Sequence, residues 1–231
     1  LVGCIYNKKE LLMNQYLPIL KHAPLFRGLA EEEIASMLGC LGATLRTYQK
    51  GELVFRQGEA VREIAVLAEG RLHIRRDDYW GNSNLISTVE AGELFGEAYL
   101  SPGSGAILNN VLAVETSAVL FLDARRAITT CPSSCRFHTM VVQNLFFAIC
   151  DKNRKLVQKI GHMSHRTTRE KLMSYLSEEA ARQNSSTVVI PFNRQQLADF
   201  LSVDRSAMSN ELSKMRKDGL LLFEKNRFTL L

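Results

Sequence analysis

The apolar positions along the chain fall into three textures. Residues 7–22 gather Leu11, Leu12, Tyr16, Ile19 and Leu20 on one side, which predicts a helix. A second short helix is predicted after Leu29. Glu31, Glu32 and Glu33 suit its positive N-terminal end, and Ile34, Met37, Leu38 and Leu41 form its stripe. From Ala43 to Asp123 the apolar runs shorten to Leu53–Phe55, Ile64–Leu67, Leu72–Ile74, Leu85–Ile86, Val111–Val114 and Val119–Leu122. Turn signals separate them at Lys50-Gly51, Gln57-Gly58, Glu69-Gly70, Gly81-Asn82, Ala91-Gly92 and Ser101-Pro102-Gly103. Short strands with Gly at the corners predict an antiparallel β-roll of about eight strands, jelly-roll-like in character.

Residues 136–163 hold no Pro and no Gly before Gly161. Phe137, Val141, Leu145, Ile149, Leu156, Ile160 and Met163 recur at steps of three, four or seven, while Met140, Phe147, Cys150 and Val157 form a second apolar side. The spacing predicts one long helix that needs two partners: the roll, and the same helix of a second subunit. Val141, Leu145, Ile149, Leu156 and Ile160 are assigned to that dimer interface. A helix buried inside a single domain is the competing reading. The last section, 166–231, predicts a helix at about 167–183, a strand at Val188–Ile190, two short helices, and strands Leu220–Glu224 and Arg227–Leu231. The expected class is α+β, with a sensor domain at 1–135, a dimerisation helix and hinge at 136–163, and a DNA-binding domain at 164–231.

Charge sharpens this picture. The 231 residues carry a net +5, but residues 1–150 hold 14 Lys and Arg against 15 Asp and Glu, whereas residues 151–231 hold 15 against 9. The surplus in the C-terminal third points to a polyanionic partner. No run is long and apolar enough to span a membrane, and residues 1–16 are too polar for a secretory leader, so a cytoplasmic location is expected. Cys4, Cys40, Cys131, Cys135 and Cys150 are odd in number and lack a zinc-ribbon spacing. No catalytic set, metal set or cofactor motif emerges.

The chemistry concentrates in Asn193–Leu231. Gln195–Leu201 predicts a short helix, Ser202-Val203 a tight connection, and Asp204 the cap of a helix ending at Gly219. Met208, Leu212 and Met215 face inward; Arg205, Ser206, Ser209, Asn210 and Ser213 face outward. This is a helix-turn-helix pattern followed by a wing-like hairpin. Arg205, Ser206, Ser209 and Asn210 are expected to read base edges, because Arg matches guanine and Asn matches adenine. Arg194, Gln195, Lys214 and Lys217 are expected to hold phosphates.

The order of roll, long helix and winged helix-turn-helix resembles the Crp/Fnr family of bacterial transcription regulators over nearly the whole chain. The likeness rests on Pro24-Leu25-Phe26, on Lys50–Glu59, on Gly92-Glu93-Leu94-Phe95-Gly96-Glu97, and on the segment from Arg194. It implies a homodimer on a near-palindromic double-stranded operator, contact with RNA polymerase, and a small-molecule effector near Gly96, Glu97, Ile107, Leu108 and Asn109. In cyclic-AMP-binding members an Arg-Ser or Arg-Thr pair grips the phosphate. Ile107 and Leu108 stand at those positions, so an effector other than cyclic AMP, or a pocket filled by its own side chains, is expected. Cys4 alone precedes Cys40, which argues against an iron–sulfur cluster, and His73 is the only histidine of the roll. Cys131 and Cys135 leave thiol sensing open. Ser206 and Asn210 depart from the family's familiar recognition helix and imply a different operator. An effector-independent regulator and a cupin-type metalloenzyme are the other readings; the latter needs clustered histidines that the roll lacks.

Overall fold

In a computed structural model, residues 13–77, 79, 83–100, 103, 105–129 and 136–231 are described. The strands between Ala43 and Asp123 are β1 (Thr44–Tyr48), β2 (Leu53–Phe55), β3 (Glu63–Glu69), β4 (Arg71–Asp77), β5 (Ser83–Glu90), β6 (Leu94–Phe95), β7 (Asn110–Ala113) and β8 (Ser117–Asp123). They form two antiparallel sheets, β1-β8-β3-β6 and β2-β7-β4-β5. β3 and β8 read as unbroken apolar runs because both faces of their sheet are covered. Ala65, Leu67, Val119 and Phe121 fill the roll interior, with Phe55 and Phe95. Ile64, Val66, Leu120 and Leu122 pack outward under the helices. The Phe55 ring meets Phe95 and Phe121 edge-on at 5.7 and 5.8 Å.

The glycine corners are real, and Gly70 is the tightest of them. Its φ is +87°, and a Cβ there would lie 2.4 Å from Ser117 Oγ and 2.5 Å from the Thr116 carbonyl oxygen. Backbone strain and a backbone clash coincide, so Gly70→Ala should destabilise the roll by about 2–3 kcal/mol. Urea unfolding with an unchanged midpoint would contradict this packing.

Helices cover the outer sheet. The single helix expected over 7–22 is corrected where it is described: a turn at Gln15-Tyr16 precedes α1 (Leu17–Leu20), whose first turn holds Pro18. Pro lacks the N–H that a continuing helix needs, and this outweighed the apolar spacing. Residues 7–12 lie outside the described part. A short 3₁₀ turn, Pro24–Phe26, leads to α2 (Glu31–Cys40), whose Glu33 carboxylate accepts the Ala30 amide at 2.8 Å. After β8, Asp123 caps α3 (Ala124–Ile128), and α4 (Arg136–Ser164) follows as the long helix.

Residues 1–150 form one compact unit and residues 151–231 a second, and the boundary falls within α4. The second unit holds α5 (Thr168–Gln183), β9 (Thr187–Val189), α6 (Arg194–Leu201), α7 (Arg205–Lys217), β10 (Leu221–Glu224) and β11 (Arg227–Leu230). The strands make the sheet β10-β11-β9. Leu172, Leu176, Leu197, Leu201, Met208, Leu212, Met215 and Phe228 share its core.

Candidate nucleic-acid interface and effector site

The turn between α6 and α7 is built from local chemistry. Asn193 and Gln196 cap α6 reciprocally. Ser202 ends α6 in the left-handed region at φ 50°, and the Lys171 ammonium donates to the Leu201 and Ser202 carbonyls at 3.2 and 3.4 Å. Asp204 then accepts the Ala207 amide at 2.7 Å and starts α7. Arg169 on α5 ties this second helix down, pairing with Glu211 and, at 2.7 Å, with Asp218. Those two carboxylates raise the Arg169 pKa, the Glu211 hydrogen bond most.

With Met208, Leu212 and Met215 buried, α7 turns a polar face outward. Arg205, Ser206, Asn210, Lys214 and Lys217 are exposed on it. Ser209 is half-buried, and its hydroxyl donates back to the Arg205 carbonyl at 2.9 Å. Ser213 does the same toward Ser209 at 3.0 Å. The protons of these two hydroxyls are thus engaged within the helix, which leaves their lone pairs as acceptors.

The expected phosphate residues have different surroundings. Gln195 is exposed and its amide donates to Asp199 at 2.8 Å. The Arg194 guanidinium is half-buried, 4.9 Å from the ring centres of both Phe223 and Phe228, and burial lowers its pKa. Its Nη2 is buried with no hydrogen-bond partner among the described residues. Arg194 thus joins α6 to the terminal hairpin, a packing role that sequence spacing did not reveal. Arg216 stacks on the same Phe223 at 5.1 Å. At the hairpin tip Lys225 holds φ 51°, and Asn226 donates to the Ile190 carbonyl at 3.0 Å.

The residues expected at the effector site have different surroundings, and Ser101, Pro102 and Ser104 between them lie outside the described residues. Gly96 holds φ +86°, and a Cβ there would lie 3.2 Å from Phe55 Cε2. Glu97 is half-buried in the short 3₁₀ turn Glu97–Tyr99. Ile107 is buried in the roll interior with Phe55, Phe95 and Phe121. Its amide donates to the Glu59 carbonyl at 2.8 Å, and its own carbonyl accepts the Gly58 amide at 2.8 Å. Leu108 is exposed, Asn109 is half-buried, and the Leu108 amide donates to the Tyr99 hydroxyl at 3.1 Å. The neighbouring Asn110 was missed by sequence reasoning. It accepts the Gln57 amide at 2.8 Å and donates to Asp77 at 2.6 Å, locking the strand beside the cassette. A cleft of about 620 Å³ lies elsewhere on the roll, lined by Arg46, Thr47, Tyr48, Gly51, Glu52, Leu53 and Arg56.

His73 is half-buried on β4, and burial, then Arg75 and Arg71, lowers its pKa. No cluster of metal-ligating side chains occurs among the described residues. Cys40 and Cys150 are free and exposed. Cys131 and Cys135 lie outside the described residues.

The long helix corrects the sequence reading of its two stripes. Val141 and Leu145 were assigned to a dimer face, but they are buried in the core of their own unit with Phe137 and Met140. The Asn144 amide fixes this side by donating to the Leu25 and Arg27 carbonyls at 3.1 and 2.9 Å. The exposed apolar side consists of Phe146, Phe147, Ile149, Leu156, Val157 and Ile160. Phe146, Cys150, Asn153, Val157, Ile160 and Ser164 are spaced alternately four and three apart, a heptad seam flanked by Ile149 and Leu156.

Comparison with known proteins agrees with this geometry. A model for the cyclic nucleotide-binding domain matches residues 45–131, and one for the Crp-like helix-turn-helix domain matches residues 170–231. A cyclic AMP receptor protein of Thermus thermophilus is 25% identical over 205 residues, 87% of this chain and 89% of the relative. The solved structure of FixK2 from Bradyrhizobium japonicum is 17% identical, covers 81% of this chain and 92% of that one, and gives a TM-score of 0.52. That of CLP from Xanthomonas campestris, described as a c-di-GMP responsive global regulator, is 17% identical, covers 87% and 99%, and gives 0.56. These two likenesses concern fold. With both domain models matched in this order, the chain belongs to the Crp/Fnr family and is a DNA-binding transcription regulator, not an enzyme.

Proposed function

We propose that the protein acts as a cytoplasmic homodimer that reads a near-palindromic operator and contacts RNA polymerase. The observation that carries the DNA reading is the face of α7, where Arg205, Ser206 and Asn210 stand exposed beside Lys214 and Lys217. Arg205 and Asn210 supply paired donors and acceptors to base edges, and the lysines supply charge to phosphates. Ser209 joins them through the lone pairs of its hydroxyl oxygen. The dimer reading is supported by the exposed seam from Phe146 to Ile160, which a lone helix would leave in water.

The effector is a small molecule other than cyclic AMP. Ile107 fills the interior where a phosphate clamp needs Arg, and Tyr99 occupies the Leu108 amide that an anion would use. A desolvated cyclic phosphate would meet aliphatic carbon there. The relative from Thermus thermophilus is named a cyclic AMP receptor, so the distinction can be measured. Calorimetry should detect no heat of binding with cyclic AMP at concentrations up to about 1 mM, a limit equivalent to about −4 kcal/mol. Micromolar binding would overturn this reading of the cassette.

A further inference from the structure

His162, in the last turn of the long helix, is one of the few buried polar residues among those described, 5% exposed. Its Nε2 lies 3.1 Å from Glu178 Oε2 and its Nδ1 lies 2.8 Å from Ser174 Oγ. A carboxylate only accepts, so Nε2–H donates to Glu178, while Nδ1 shares a hydrogen bond with the Ser174 hydroxyl. Edge contact with Tyr175 at 5.7 Å, and the Phe200 ring at 6.4 Å, hold the imidazole plane. Lys159, one turn earlier on α4, sits 5.2 Å over the same Phe200, and Met163 Sδ receives the Ser202 hydroxyl at 3.9 Å. The last turns of α4 are thus bonded to α5, to α6 and to the turn that precedes the recognition helix.

This attachment has a mechanical consequence. Only residues 165–167 separate α4 from α5, and a connection that short would let the helices swing if nothing bridged it. His162 bridges it, five residues beyond Val157 and two beyond Ile160 of the seam. We infer that His162 is the positioning residue that fixes the helix-turn-helix to the dimer seam, and so sets the half-site spacing that the dimer accepts. The inference rests on the dimer reading above. It adds a residue whose loss leaves each half-site contact intact and removes their fixed separation. A rigid pair of heads gains affinity from the second half-site only when both are in phase; loosely tethered heads trade that gain for tolerance.

The test measures full-length protein on three duplexes selected for the wild type: the palindrome, the palindrome with two base pairs inserted at its centre, and one half-site. Two base pairs rotate the second half-site by about 70°. The wild type should lose about tenfold or more on insertion. His162→Leu should bind the intact palindrome about tenfold more weakly, lose threefold or less on insertion, and bind the half-site as the wild type does. His162→Gln, whose amide can still reach Glu178 or Ser174, should restore most of the spacing preference, and Glu178→Gln should weaken it without loss of fold. An insertion penalty in His162→Leu equal to that of the wild type overturns the role, as does an equal loss on half-site and palindrome. Should His162→Leu fail to fold, an unchanged penalty in Glu178→Gln overturns it. A wild type that sediments as a monomer removes the dimer reading and this role with it, whereas a dimeric wild type with an unaffected His162→Leu removes this role alone.

Discussion

Val157→Asp and Ile160→Asp should each turn the dimer into monomers at micromolar concentration. Both side chains are about 60% exposed on the single chain, at 61% and 64%, so neither carboxylate disturbs the monomer's core. In the dimer each change puts two carboxylates into one apolar seam, where an unpaired charge costs several kcal/mol. A loss on the order of 4 kcal/mol or more is about a thousandfold in association, and palindrome binding should fall with it. Sedimentation velocity reads the result directly. Leu145→Ala is the contrasting control. It removes a core side chain of the first unit, so it should cost about 2–5 kcal/mol of folding stability while leaving the dimer intact. If Leu145→Ala dissociates the protein and Ile160→Asp does not, the seam has been put on the wrong side of α4.

The second large effect belongs to the recognition helix. Arg205→Ala should cost roughly 1–3 kcal/mol per half-site and relax preference at one base pair in each. A dimer presents the residue twice, so the palindrome should lose about 2–6 kcal/mol, additively for separated contacts. Lys217→Ala should behave otherwise: similar weakening on cognate and random DNA, and a salt slope flatter by about one unit per contact. Titrations at several salt concentrations separate the two. The distinction has a structural basis, because Arg205 opens α7 beside the turn, whereas Lys217 lies three helical turns on, near its C-terminal end.

Much of this architecture is written in local pattern. Gly corners and apolar runs of three or four residues marked β2, β3, β4, β7 and β8, because pleated strands alternate faces and tight turns need positive φ. β1 and β6 escaped notice. Thr44–Tyr48 is an edge strand with polar positions, and Leu94–Phe95 is only two residues long, so neither has a period to read. The helix-turn-helix was legible because Asp204 and Gly219 punctuate it with capping chemistry that acts within a few residues, whereas the Asn193 cap emerged only from the fold. Ownership of a surface was not legible. The two stripes of α4 are chemically alike, and only the fold shows that Val141 and Leu145 serve their own unit while Val157 and Ile160 face outward. The same limit hid Arg194, whose partners Phe223 and Phe228 lie about 30 residues away in sequence. It also hid His162, whose partners depend on how α5 returns against α4. At the cassette the aliphatic pair Ile107-Leu108 is plain in the sequence, but only the fold shows that Ile107 is buried in the roll interior while Leu108 is exposed.

The central claim is that exposed side chains of α7 read DNA from a two-fold dimer, and selection of bound duplexes from a random pool tests it most directly. The wild type should enrich a near-palindrome whose half-sites are about one helical turn apart, because two recognition helices must enter successive major grooves on one face. Arg205→Ala should enrich the same palindrome with one degenerate position per half-site, and Lys217→Ala should enrich the wild-type sequence unchanged. A pool that yields no palindrome, or Arg205→Ala and Lys217→Ala pools that match each other, would contradict the account.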